Sequence, residues 1–332
     1  MGFCIRKLFS NLFLSVIIEG SECLFYGRVF KNGKVVKTLQ AKFTEIDPNN
    51  IDEKVIAYIK RQEDAYYGVY IALLYTDDFQ GALPTLNKED FKRYNIRTDD
   101  VVTLSINYAS IYADISAVNL ARNTFGQNSI DLLYSPIALM FYEIRRQGVS
   151  EKTTMYIYSY GSTSALSIFK DKKMKFATFF KIKNDTDDDD TPKIFKKENI
   201  TDIDNLIIED ENKMSSMDDF TSLDDLIMEK PKEFEDLGYD LNMPNSSDVA
   251  TSVTIFGRDM SMFRYINSAL KEFYTNPIYD GDFIEQVIVF DSTKTSATFL
   301  HYVETELFVE TSVHTVDALK DMNELMTQEI EL

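Results

Sequence analysis

The chain of 332 residues has no tryptophan, two cysteines and two histidines. Each scarcity closes a class of function. Cys4 and Cys23 both lie near the N-terminus, and two thiols build neither a disulfide framework nor a zinc site. They read as reduced thiols of a cytosolic protein. His301 and His314 stand far apart in sequence, without the Gly-x-Ser-x-Gly elbow that would accompany a serine nucleophile. No catalytic residue and no metal site is therefore read from the sequence. Basic residues are also short, 35 Lys and Arg against 54 Asp and Glu, a net charge of −19. A nucleic-acid backbone needs a basic face, so that class of partner is excluded. Long apolar runs are missing, and no stretch reads as a membrane-spanning helix. The run after Arg6-Lys7 is short, ends at Glu19 and lacks a small-residue cleavage site, so it does not read as a signal peptide. Met1-Gly2 does not complete a myristoylation motif, because Arg6 stands where a hydroxyl residue is needed.

What is present supports a folded α/β protein. Hydrophobic residues make up 44% of the chain, with 24 Phe and 19 Tyr, enough for a substantial core rich in strands. The acidity is concentrated. Between Asn184 and Val249 there are 21 acidic and six basic residues, a net of −15 out of the chain's −19. This stretch holds Asp187 to Asp190 in a row and only short apolar clusters, so it reads as a solvated acidic insertion.

A unit of sequence appears twice. Its first copy has an apolar strand (Ser15 to Glu19), a Gly20-Ser21 turn, a second strand (Leu24 to Phe30), a basic turn (Lys31 to Lys34) and a third strand. The second copy has Tyr156 to Tyr160, Gly161-Ser162, Ala165 to Phe169, Lys170 to Lys173, and Met174 to Phe180. A repeat separated by about half the chain is too widely spaced for a solenoid and implies two related lobes facing a cleft. Between the copies, Val55, Ile56 and Ile59 share a helical face, Tyr67 to Leu74 reads as a buried strand, and Gly81 to Pro84 as a loop. A short helix near Lys88 to Tyr94 and a strand over Val101 to Tyr108 follow. Ser135-Pro136 starts a helix that Gly148 stops. After the insertion come a helix over Met260 to Tyr274, a strand Glu285 to Phe290, a helix Ser296 to Thr305, a strand Leu307 to Thr311 and a C-terminal helix Asp317 to Ile330. Ile5, Leu8, Phe9 and Leu12 fall at helical spacing, which predicts an amphipathic N-terminal segment over residues 1–13, able to lie on a membrane surface or to pack on its own domain or a partner.

Duplicated strand–Gly-Ser–strand units resemble the actin-like ATPase fold, and more narrowly the PilM family of type IV pilus and type II secretion machinery. The resemblance implies an α/β, actin-like (ribonuclease H-like) two-lobed fold. The first lobe would span 14–148 with a small inserted subdomain at about 77–118. The second would span 149–332, interrupted by the acidic insertion 184–249. In ATP-binding members the first loop reads Asp-x-Gly-Ser. Here the matching positions are Ile18-Glu19-Gly20-Ser21, and the second loop reads Ser159-Tyr160-Gly161. The third loop, normally Gly-Gly, reads Asp291-Ser292-Thr293. Both metal-binding carboxylates are replaced, so Gly20, Ser21, Gly161, Ser162, Thr163, Ser292 and Thr293 form vestigial nucleotide loops. No cofactor is expected. The alternative is an active actin-like ATPase or sugar-kinase relative using Mg-ATP, or a filament-forming or chaperone relative.

The resemblance further implies a non-catalytic cytoplasmic scaffold, peripheral to the inner membrane and assembled as a homo-oligomeric ring. It would bind the cytosolic N-terminus of a PilN-like single-pass inner-membrane protein in a flagellar motor, type IV pilus, secretion or competence system. By analogy that peptide would lie between the first lobe's core and its small subdomain, where Tyr70, Phe79, Phe91, Tyr94, Tyr108 and Tyr112 are the candidate wall residues.

Overall fold

The computed structural model describes residues 9–48, 50–127, 129–181, 246–292 and 297–330. Most of the acidic insertion and the N-terminal Met1 to Leu8 lie outside them. The first half of the chain forms β1 (Asn11–Glu19), β2 (Glu22–Lys31), β3 (Lys34–Phe43), α1 (Glu53–Ala65), β4 (Gly68–Leu74), β5 (Gln80–Leu83), β6 (Val101–Ile106), β7 (Ala109–Asp114), α2 (Ile115–Ala121) and β8 (Leu132–Tyr134). Helix α3 (Pro136–Gln147) leads into β9 (Thr154–Tyr160), β10 (Thr163–Lys170) and β11 (Lys173–Lys181). The last part forms α4 (Ser246–Thr275), β12 (Gln286–Asp291), α5 (Ala297–Leu307), β13 (Glu310–Thr315) and α6 (Ala318–Glu329).

The duplication is structural. The two large sheets have the orders β3-β2-β1-β4-β8 and β11-β10-β9-β12-β13, which are the same order read along each half. In both, the three hairpin strands are antiparallel and the next two join in parallel. The correspondence reaches local irregularities. A register shift falls between Val29 and Phe30 in one copy and between Ile168 and Phe169 in the other. The turn after it has two left-handed residues in each copy, Asn32 and Gly33 in the first, Asp171 and Lys172 in the second. This is the hairpin turn that follows strand twist. This topology is the actin-like, ribonuclease H-like fold expected from the repeated units.

Central strands explain the sequence signal. β1 is covered on both faces, so it reads as a continuous apolar run. Phe13 and Ile17 point into one core, and Leu12, Leu14 and Val16 into another. The helical spacing that includes Leu12 is overridden here: the strand begins at Asn11, so Leu12 and Phe13 are fully buried strand residues. Two further expectations change. Gly81 and Leu83 belong to β5, not to a loop, and β5 joins β7 and β6 in a small third sheet. The last strand starts at Glu310, because Leu307 closes α5 and Phe308 takes a left-handed conformation with φ 54°.

Two helices change sides. α3 follows the first sheet in sequence but packs on β9 and β10, whereas α6 follows the second sheet and packs on β1, β2 and β4. They also pack on each other, and one core cluster runs through both halves from Phe13 and Ala72 to Tyr158, Phe290 and Met322. α6 is fastened to the first sheet by Asn323, which has no exposed surface. Its amide donates to the carbonyl oxygens of Phe13 (2.7 Å) and Tyr26 (3.4 Å), and its Oδ1 accepts from Arg28 Nε (2.6 Å). Arg28 also donates to Thr327 Oγ1 at 3.1 Å. Truncating Asn323 strands buried partners on the central strands. Asn323→Ala is expected to lower unfolding free energy by about 2–4 kcal/mol in urea titrations, well above an ordinary surface change.

Candidate functional site

β1 and β9 end facing each other, each in a glycine held left-handed, Gly20 at φ 54° and Gly161 at φ 52°. Those conformations favour glycine, and a turn of this kind can aim backbone N–H groups at an anion. The gap contains an anion from the chain itself. Glu19 Oε1 accepts the backbone N–H of Ser162 at 2.9 Å, which bridges the two Gly-Ser turns. Its carboxylate lies against the Gly161 Cα so closely that a side-chain Cβ at Gly161 would overlap it. Burial raises the Glu19 pKa, the Ser162 hydrogen bond opposes that shift, and the neighbouring Glu22 adds to it. What remains open beside Glu19 is a cavity of about 40 Å³, bounded by Ile18, Thr76, Tyr160 and Lys181 among others. That volume suits one or two waters, whereas a nucleotide needs several hundred Å³.

The other loop positions point the same way. Ile18 packs against the first-lobe core. Ser159 is buried at 2% exposure, and its carbonyl accepts both the N–H and the hydroxyl of Ser292 at 3.1 Å. Thr163 turns its hydroxyl back onto the Tyr160 carbonyl at 2.9 Å, and the Ser21 carbonyl accepts from Ile46 at 3.0 Å. Asp291 is buried at the end of β12. Thr293 lies outside the described residues. Among the described residues no group of three His, Cys, Asp or Glu side chains is placed to hold a metal ion. The donor set does not fit a magnesium–nucleotide complex: the carboxylate positions are an apolar residue and a buried hydroxyl, and the anion notch is filled.

A larger hollow of about 480 Å³ opens nearby between Arg146, Tyr160, Ser292 and the start of α6. Its floor is acidic. Asp321 and Glu143 face each other across the α3–α6 contact, both buried. Arg146 Nη2 lies 2.9 Å from Glu143 Oε2, an ion pair on one side only. Burial, followed by the Glu143 charge, pushes the Asp321 carboxyl up to about 7. Tyr158 Oη stands 3.5 Å from Asp321 Oδ2, and Tyr142 donates to Glu324 at 2.6 Å. The hollow is lined by Asp317, Asp321 and Glu324 together with Arg146 and Lys320. Neither the Glu19 bridge nor this carboxyl pair is marked by a motif in the sequence. Glu19 is visible only as an acidic residue beside the missing aspartate.

The six aromatic candidates do not line one wall. Phe91 is fully buried in the small subdomain's own core with Leu83, Ile96 and Val101, so it touches no partner. Tyr94 pairs with Tyr279 of the second lobe (5.9 Å), and Tyr112 with Phe79 (6.0 Å). Tyr112 belongs to the face of the small sheet that covers Phe91. Tyr70, stacked on Phe13 at 5.1 Å, lies instead beside the main core, as does Ile106. Tyr108 is 73% exposed at the β6–β7 turn. Sequence reasoning passed over Val102 and Leu104 on β6, which are 36% and 57% exposed. β6 pairs only with β7 among the described strands, so its other edge is open.

Residues 155–331, more than half of the chain, match the family described as Domain of unknown function (DUF8341). The chain belongs to that family. Residues 9–141 match a second family, Domain of unknown function (DUF8569), so the two matches fall one on each sheet. No curated protein matches this DUF8341 member. Among solved structures it is similar to a Bacteroides thetaiotaomicron VPI-5482 protein with actin-like ATPase fold and unknown function, at 10% identity over 98% of this chain and 99% of that one (TM-score 0.45). It is similar to a PilM–PilN type IV pilus biogenesis complex at 9% identity over 94% of each chain (TM-score 0.46). It is also similar to acetate kinase from Entamoeba histolytica at 6% identity over 96% of this chain and 99% of that one (TM-score 0.40).

Two measurements check this geometry. Gly161→Ala places a side chain on left-handed backbone and against Glu19, and is expected to cost about 1–3 kcal/mol in chemical denaturation. In Glu19→Ala the same change should cost less, because the overlapping carboxylate is gone. The second concerns pH. Asp321 titrates higher in the folded chain than its ordinary 3.8, so its protonated form is favoured by folding. Its contribution is greatest at low pH and is lost as pH rises through about 7. The melting temperature should therefore fall between pH 5.5 and pH 8 by more in the wild type than in Asp321→Asn.

Proposed function

We propose that this protein is a non-catalytic, PilM-like scaffold at the cytoplasmic face of the inner membrane, which grips the cytosolic N-terminal segment of a PilN-like single-pass protein. The machine it serves is an envelope-spanning one, a type IV pilus, a secretion or competence system, or a flagellar motor. The Glu19 bridge carries the reading. A cleft whose anion notch holds the chain's own carboxylate serves to fix two lobes and has no use for a phosphate. In place of catalysis the fold offers a strand edge. Val102 and Leu104 lie on β6 with Ile106, whose side chain packs beside the main core. An extended peptide added along β6 would pair its backbone with the open edge and cover Leu104, with Tyr108 at one end.

Calorimetry tests both halves. Mg-ATP is expected to give no binding heat with the purified chain, and micromolar affinity would overturn the non-catalytic reading. A synthetic peptide from the cytosolic segment of a neighbouring-gene single-pass protein is expected to bind. Leu104→Asp should weaken it at least tenfold with an unchanged melting temperature. An unchanged affinity would remove β6 as the binding edge.

A further inference from the structure

Two acids with no part in peptide capture meet where α3 packs on α6. Glu143 of α3 has no exposed surface, and Asp321 of α6 is 4% exposed. Their carboxyl groups lie within hydrogen-bonding reach of each other. Among the described residues no well-directed donor reaches either carboxylate oxygen of Glu143. Arg146 Nη2 approaches Glu143 Oε2 at 2.9 Å as an ion pair. Two carboxylates only accept, so they form a hydrogen bond with each other when one of them carries a proton.

The charges around the pair favour a single proton. On α6, Asp317 pairs with Lys320 at 2.9 Å, and Glu324 accepts the Tyr142 hydroxyl of α3 at 2.6 Å. On α3, Arg146 is half exposed and offers one positive charge. β9 brings Tyr158, whose Oη stands 3.5 Å from Asp321 Oδ2. β2 brings Tyr26 beside Lys320, and Arg28, which Asn323 and Thr327 hold. Asp317 and Glu324 press negative charge on Asp321, and Glu324 does the same to Glu143. With a proton the pair bears a single negative charge, which Arg146 balances. Without it a second buried charge has no such partner and faces its neighbours. Asp321 also lines the hollow of about 480 Å³, so the proton has a way to solvent.

We infer that one proton, shared between Asp321 and Glu143, locks α3 to α6, and that its loss to solvent lets the helix contact open. The lock is closed in acid and released in base. A carboxyl group that the fold holds protonated stabilises at low pH and loses that contribution as pH rises. The opening is local. α3 and α6 each cover the sheet of the opposite half, so loosening their contact frees helix amides without unfolding the strands beneath. The inference stands on the helix contact alone, and it holds whatever binds at the β6 edge or at the Gly-Ser turns.

Amide hydrogen exchange on the full chain, corrected for the intrinsic rate at each pH, tests the lock. The ordinary Asp value of 3.8 and the folded value of about 7 set the window. Between pH 5 and pH 7 the opening constant of amides in 139–147 and 318–326 is expected to rise by about tenfold per pH unit, the slope for one released proton. Above that window it should level off. Amides of β1 and β9 should stay slower than the helix amides throughout. Asp321→Asn and Glu143→Gln should each remove the slope. Carboxyl carbon-13 NMR of the wild type needs no variant to fold, and it is expected to show one proton still bound to the pair at pH 6. Two carboxylates that both ionise below pH 5 would overturn the lock. So would helix amides that open only together with the strands, or a slope that persists in either variant.

Discussion

The exchange of helices between the two halves is the constraint from which the rest follows. α3 and α6 each leave the sheet they follow in sequence and cover the other, so neither sheet is complete without chain from the opposite half. Asn323 makes this exchange specific. Its amide donates to carbonyl oxygens of two adjacent strands, β1 and β2, and its oxygen accepts from Arg28 of β2. Apolar packing of Met322 and Met326 drives α6 onto the sheet, but methionines tolerate sliding. A buried amide with three partners does not, so the registry of the helix belongs to Asn323.

That registry sets what surrounds the cleft. Once α6 is seated, Asp321 lies beside Glu143, and two carboxyl groups share a site with the cation Arg146. At the opposing turns the chain places a third acid, Glu19, into the notch formed by Gly161 and Ser162. An acidic side chain of the chain itself thus occupies the gap between the two glycine turns. Gly20 and Gly161 retain the left-handed geometry for which a hairpin has its own need, so their presence alone says little about ligands.

The duplicated architecture was legible because central strands are long and buried on both faces. Leu12 to Ile17 and Met155 to Tyr158 stand out as apolar runs before paired Gly-Ser turns, and Ser135-Pro136 and Gly148 mark α3 without help from packing. The small sheet was less legible. Gln80–Leu83 is four residues long and contains a glycine, so its strand character comes from pairing with β7 and not from its own pattern. The same holds for the candidate aromatics: a phenylalanine in sequence does not reveal whether it lines a groove or, like Phe91, fills a private core. Glu19 was visible as a residue beside a missing aspartate, but its role depends on a contact between residues 143 positions apart, which no local pattern encodes.

The Glu19 bridge also changes what kind of competitor a phosphate would face. A ligand arriving from solution is bound in proportion to its concentration, whereas a tethered side chain acts at an effective concentration of about millimolar or more, fixed by chain geometry. Displacing it means prising the two hairpins apart as well as occupying the notch. The contact that spans the two hairpins is then made when the chain folds, by a residue that the chain itself supplies.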